Sequence, residues 1–315
     1  MSVSKLRIVF MGTPEFAVPS LKILVEHGYN IVGVITATDK YGGRGGKKLI
    51  ESDIKKYAKA HGLNILQPKN LKSEQFIEKL RTLKADLQIV VAFRMLPVVV
   101  WDMPPLGTYN LHGSLLPKYR GAAPINWAVI KGDKVTGVTS FKLKHEIDTG
   151  AILFQEQIQI GEYETAGELY ERMKFLGAEV VLKSVQAIER GNIELKEQDN
   201  TLVSKAPKIF KEDCEINFDQ NAEEIRNFVR GMNPFPGAWI KAKDQVVKIF
   251  KVDKELSIHN IQCGKIESDN KSFLKISTND GWIHLKELQA QGKKRMDIKS
   301  FLNGTDIKLW LESGS

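Results

Sequence analysis

Short apolar runs alternate with amphipathic stretches along the first 190 or so residues. Leu6 to Met11, Ile31 to Thr36 and Leu87 to Ala92 are apolar runs of strand length, as expected of strands covered on both faces. Between them, Ala17 to His27, Leu49 to His61 and Ser73 to Leu83 place apolar residues at helical spacing, and Asn64 to Leu66 reads as a further short strand. Strands alternating with helices predict an α/β fold, a Rossmann-like and mostly parallel sheet with right-handed crossovers and helices on both faces. Ligand sites in such sheets gather at the carboxyl ends of the strands. Farther on, Ala151 to Ile160 alternates as a strand, and Thr165 to Arg190 is a long amphipathic helix stopped by Gly191.

The pattern then changes. Residues 192–213 are polar, with an isolated Pro207 and few apolar runs. A helix at Ala222 to Val229 precedes N-P-F-P-G-A-W and short alternating strands near Gln245 to Val252, Gln262 to Ile266, Ser272 to Ser277 and Trp282 to Gln289. Several short strands in about a hundred residues predict a small β-barrel. The expected organisation is a catalytic domain over 1–191, a linker over 192–213 and a β-rich domain over 214–315. A chain of 315 residues supports two cores that need no staples. Cys214 and Cys263 have neither C-x-x-C nor paired-His spacing, so reduced thiols are expected and no zinc site. Leu6 to Met11 is too short for a signal-peptide core, and no apolar stretch approaches the ~20 residues of a membrane span.

A net charge of +8 favours an anionic partner. Residues 207–315 hold 18 basic against 16 acidic side chains, so any nucleic-acid surface there is a local patch. Lys241, Lys243, Lys248, Lys251 and Lys254 form one candidate, and Lys293-Lys294-Arg295 another. In the first half, Lys40 to Lys48 (KYGGRGGKK) combines four glycines with four cations, which suits phosphate capture as well as a solvated surface loop.

The densest chemistry lies between Tyr109 and Ile152. Asn110 and His112, two apart at the end of an extended segment, project to one side, and Asp148 opens a D-T-G turn. An amine attacking an acyl carbon must lose a proton and create a negatively charged oxygen, which calls for a base near neutral pH, a carboxylate beside it and donors aimed at the oxygen. His112 and Asp148 fit the first two roles, and Asn110 with a His112 donor the third. Taken singly, each residue is equally at home in ordinary turn or strand-end geometry. His27 and His61 each follow a helical run and suit a helix C-terminus; His145 is close enough to Asp148 to serve as a control. The opening turn M-G-T-P-E-F lacks the glycines of G-x-G-x-x-G, which disfavours a nicotinamide or flavin site. Pro14 and Glu15 there fit a helix start.

Together, N-L-H-G-S-L-L-P, Y-R-G-A-A-P, I-D-T-G and M-G-T-P-E-F resemble the signature of the folate-dependent formyltransferases, over nearly the whole chain. The resemblance implies 10-formyltetrahydrofolate as donor, with Ser114, Leu115, Leu116 and Pro117 close to the folate. Phe93 and Met95 of V-V-A-F-R-M-L-P are further folate candidates, for which core packing is the competing role; this segment lacks the Tyr-Gly expected in many relatives. The implied acceptor is the amino group of methionine on initiator tRNA. Arg44, with Lys47 and Lys48, would meet the tRNA, and an OB-like C-terminal barrel would bind it. No metal is implied, and a cytoplasmic monomer is expected. A formyltransferase or formyl-folate hydrolase acting on a small molecule, and a non-catalytic RNA-binding module, are the alternatives.

Overall fold

The computed structural model describes residues 5–42, 46, 48–242, 245–305 and 307. In chain order the first part contains β1 (Arg7–Gly12), α1 (Val18–Glu26), β2 (Asn30–Ile35), β3 (Lys40–Gly42), β4 (Lys48–Ile50), α2 (Asp53–Ala60), β5 (Ile65–Leu66), α3 (Glu74–Thr82), β6 (Leu87–Val91), α4 (Val98–Trp101), β7 (Thr108–His112) and β8 (Arg120–Gly121). Then come α5 (Pro124–Ile130), β9 (Val135–Lys142), β10 (Ile152–Gln159) and the long α6 (Ala166–Glu189). Two compact units result: Met1–Gly121, Thr136–Ile158 and Tyr170–Lys205 form the first, and Ala122–Val135, Gln159–Leu169 and Ala206–Ser315 the second.

The first unit is built on a seven-stranded sheet of order β10-β9-β7-β6-β1-β2-β5. β1 pairs in parallel with β2 and β6, and β6 with β7. Every residue of β6 is buried, which explains why that strand reads as an unbroken apolar run: helices cover both faces and leave no wet side to alternate with. Val9, Met11, Ile35 and Val90 pack with Phe76, Leu80 and Val100 in one core. The sheet is not wholly parallel. β9 runs antiparallel to β7, setting Thr139 opposite His112 and Phe141 opposite Asn110.

One local expectation is corrected. The segment from Leu49 is not helical at its start: β3 and β4 form an antiparallel hairpin that pairs Lys40 with Ile50 and Gly42 with Lys48, and α2 begins only at Asp53. Ser52 is the reason for the late start, because its side chain accepts the Lys55 amide at 3.1 Å and caps the helix there.

After β11 (Lys205–Ala206), where the chain passes from the first unit's residues to the second's, the second unit continues with α7 (Ala222–Met232), β12 (Ala238–Ala242), β13 (Gln245–Leu256), β14 (Ile266–Ser268), β15 (Leu274–Ser277), β16 (Gly281–Gln289), β17 (Met296–Asp297) and α8 (Ile298–Asn303). Its antiparallel sheet has the order β12-β13-β16-β15-β14, with β17 on β16. The strand expected from Gln262 starts instead at Ile266. Register shifts between Ile249 and Val252 bend β13 against β16, the usual way a strand turns a sheet into a curled, OB-like half-barrel. Ile225, Val229 and Met232 of α7 fill its interior against Val247, Ile249, Ile283 and Leu285. Both cysteines are free thiols, Cys214 within this core.

On the surface of that unit Glu223 accepts from Arg226 at 2.8 Å and from Lys254 at 2.5 Å. Partial burial alone would raise its carboxyl, but the two cations outweigh it and hold the group at about 2. A depressed folded value means that the contribution is present above the ordinary glutamate range and lost as the pH falls towards 2. Acid titration followed by the fluorescence of Trp239 and Trp282 should therefore show a loss of stability between about pH 4.5 and 2 that Glu223→Gln reduces. An unchanged acid profile in that variant would remove the pair from the stability of this unit.

Candidate active site

Asn110 and His112 leave the carboxyl end of β7 on one face, while Tyr109 and Leu111 between and beside them turn to the other and are buried. His112 is itself only 6% exposed. Its Nε2 lies 2.8 Å from the Tyr119 carbonyl oxygen, an atom that can only accept, so in the neutral ring Nε2 carries the hydrogen and Nδ1 presents a lone pair. That Nδ1 faces Oδ2 of Asp148 at 3.9 Å, beyond hydrogen-bond length but close enough for a carboxylate to stabilise positive charge arising on the ring. The Asn110 side chain is half-buried and has no hydrogen-bond partner among the described residues, which leaves its amide hydrogens for a ligand oxygen.

Asp148 lies in the connection between β9 and β10 with φ of 55°, a left-handed conformation that aspartate tolerates better than most residues. The Gly121 amide donates to its Oδ2 at 2.9 Å. Two residues on, Gly150 runs so close to β9 that a Cβ there would lie 1.7 Å from the Lys142 carbonyl oxygen. The loop is thus pressed against the strand that pairs with the one bearing His112. His145, on the same loop, is exposed.

The turn after β7 is fastened from within. Ser114 is fully buried and its hydroxyl donates to the Lys118 carbonyl at 2.6 Å. Thr139 of β9 donates to Ser114 O at 2.6 Å and accepts from Leu116 N at 3.1 Å, while Gln155 of β10 donates to Leu116 O at 2.8 Å. Leu115 and Pro117 remain partly exposed. In the loop after β6, Phe93 packs against the first unit's core and Met95 is 72% exposed. Lys48 is exposed on the β3–β4 hairpin; Arg44 and Lys47 lie outside the described residues. In the second unit Lys254 is paired with Glu223, Arg295 pairs with Glu287, and Lys248 donates to the Pro236 carbonyl, whereas Lys241, Lys251, Lys293 and Lys294 are exposed. Lys243 lies outside the described residues.

Three polar side chains around this site stand out only in the structure: Arg120, Thr139 and Gln198. Arg120 lies inside the Y-R-G-A-A-P motif, which marks the neighbourhood but not the role. Gln198 lies in the polar stretch read as a linker, and no local pattern distinguishes it.

The sequence pattern of formyl transferases matches residues 6–185, and that of the formyl transferase C-terminal domain matches 208–306. The chain belongs to the formyl transferase family. It is 50% identical over 314 residues to the methionyl-tRNA formyltransferase of Parabacteroides distasonis, covering 96% of this chain and 97% of that one. With the methionyl-tRNA formyltransferase of Azobacteroides pseudotrichonymphae it shares 48% over 322 residues, 99% of each chain. Among solved structures, the N-formyltransferase of Helicobacter canadensis, in complex with folinic acid and dTDP-3-aminofucose, superposes with a TM-score of 0.64 at 20% identity, over 92% of this chain and 100% of that one; at this identity the likeness is one of fold. No helix among the described residues is long and apolar enough to cross a membrane.

Proposed function

We propose that this protein transfers the formyl group of 10-formyltetrahydrofolate to the amino group of methionine esterified to initiator tRNA, in the cytoplasm where charged tRNA is found. The observation that carries the reading is the Asn110–His112–Asp148 arrangement inside a chain that matches methionyl-tRNA formyltransferases from end to end. The amine nitrogen bonds to the formyl carbon, the bond from that carbon to the folate nitrogen breaks, and one proton passes from the amine to the folate nitrogen. No electrons are exchanged with a third reactant. His112 Nδ1 is the group placed to accept the proton, with Asp148 stabilising the charged ring, and Asn110 is the donor for the oxygen that gains charge. Nε2 donates to Tyr119 O, which supports assigning the oxyanion to the Asn110 amide.

For the donor, the partly exposed Leu115 and Pro117 and the exposed Met95 offer apolar surface for a pterin ring. Ser114 would act by shaping the turn, because its hydroxyl is engaged with Lys118 O. Arg44, Lys47 and Lys48 are assigned to the acceptor end of the tRNA, and the exposed lysines of the second unit to phosphates farther along it. The test is to supply formyl-labelled folate with charged initiator tRNA, charged elongator tRNA or small amines, and to follow the label. Transfer to initiator Met-tRNA is expected, with Arg44→Ala raising the Met-tRNA concentration needed while folate binding stays unchanged. Removing Lys47 and Lys48 should flatten the salt dependence of tRNA binding by about one slope unit per lost phosphate contact. Label appearing only on a small amine would reject the tRNA assignment.

A further inference from the structure

Asp148 is held from both ends, at its carboxylate and at its backbone carbonyl. Its carboxylate accepts the Gly121 amide. Its backbone carbonyl accepts Gln198 Nε2 at 2.9 Å, and the same nitrogen donates to Gly150 O at 2.8 Å. Gln198 is only 8% exposed, so two loop carbonyls depend on one buried amide. The orientation of that amide is settled by its other end: Arg120 donates to Gln198 Oε1 from Nε at 3.1 Å and from Nη2 at 2.7 Å, and from Nη2 to Asn200 Oδ1 at 3.0 Å. A guanidinium only donates and a carbonyl only accepts, so Oε1 must face Arg120 and Nε2 the loop.

The tripeptide Tyr119-Arg120-Gly121 therefore touches His112, Asp148 and Gln198. Tyr119 O receives His112 Nε2, Gly121 N–H holds the Asp148 carboxylate, and Arg120 sets the amide that grips the loop. The tripeptide is in turn fixed to the segment bearing Gln198, since Tyr119 N donates to Ser204 Oγ at 2.9 Å and Arg120 N to Ser204 O at 2.9 Å. Left-handed backbone at both Tyr119 and Asp148 persists only where surrounding bonds over-determine it.

We propose that Gln198, oriented by Arg120, is a positioning residue of the transfer reaction: it holds the Asp148 loop so that the carboxylate stays beside His112. The proposal rests on the formyl-transfer reading above. Gln198→Glu keeps the shape and the contact with Arg120 but turns the donor facing two carbonyls into an acceptor. A displacement of the order of 1 Å at a reacting arrangement costs on the order of 100-fold in rate. The expected result is a fall of about that size in kcat for formyl transfer to Met-tRNA, with KM for folate and for tRNA nearly unchanged.

The deciding measurement is a double-mutant cycle in the full-length protein. In an Asp148→Asn background, where the carboxylate charge is already gone, Gln198→Glu should cost little further. An equal cost in both backgrounds, an unchanged kcat, or a loss confined to KM would overturn the proposal. If Gln198→Glu does not fold, Arg120→Lys replaces it in the same cycle, since it keeps the charge but loses the fork that fixes the amide; the same outcomes decide. A wild-type protein that formylates no Met-tRNA would instead sink the functional reading, which keeps the two failures apart.

Discussion

Replacing His112 by alanine is expected to lower turnover by roughly two to four powers of ten, the range for losing a positioned base. Asn110→Ala is expected to lose two to three powers of ten, as for an oxyanion donor. The two variants should differ in stability. The Asn110 side chain bonds to nothing among the described residues, so its removal should leave the melting temperature where it was. His112 is buried and its Nε2 donates to Tyr119 O, so truncation removes a buried hydrogen bond at a cost of about 0.5–1.5 kcal/mol. Single-turnover rates and melting curves of the same preparations check both statements. His145→Ala, on the same loop but exposed, should keep most of the activity. A His112→Ala protein that is folded and within tenfold of normal turnover would remove the imidazole from proton transfer.

Much of the first unit was legible because its strands obey simple physics. β1, β2 and β6 are covered on both faces, and their apolar runs end within a residue or two of the observed strands. Asn110 and His112 were legible because a two-residue spacing at a strand end leaves few options for where side chains point. The β3–β4 hairpin was not: with glycines and cations throughout, its three-residue strands carry no apolar alternation, and Tyr41, Leu49 and Ile50 are largely exposed rather than folded into a core. β9 is hard to read locally because Gly137 interrupts V-T-G-V-T-S-F-K, at a point where a Cβ would lie 2.1 Å from Glu156 O. That close approach to β10 is visible only when both strands are in place.

The polar stretch after α6 shows where local reading stops. Gln198, Asn200 and Ser204 look like solvated linker residues, yet their partners lie 48 to 85 positions away, at Asp148, Gly150, Tyr119 and Arg120. Hydrophobic periodicity says nothing about a hydrogen bond of that sequence separation. It is the geometry of the two loops that turns an ordinary-looking glutamine into the partner of the Asp148 and Gly150 carbonyls.

Gly150→Ala is expected to be nearly as damaging as the loss of a catalytic group, although the added methyl is the smallest side chain available. Its Cβ would lie 1.7 Å from Lys142 O and 2.9 Å from a ring carbon of Phe141. The first contact is with backbone, so no side-chain rotation relieves it, and the loop must move away from β9. That movement stretches the Gln198 bond to Gly150 O and draws Asp148, two residues earlier, away from His112. Turnover should fall by about 100-fold, the effect of an ångström-scale displacement at a reacting site, and the unfolding free energy by about 1–3 kcal/mol, as for an overpacked position. Gly191→Ala is the control. Gly191 has a left-handed φ of 67° and nothing within 4 Å of a built Cβ, so it should lose stability through backbone strain alone while keeping its rate per folded molecule. Equal turnover in the two folded variants would mean that the Asp148 loop tolerates displacement, and with it that the carboxylate is not required at its observed distance from the imidazole.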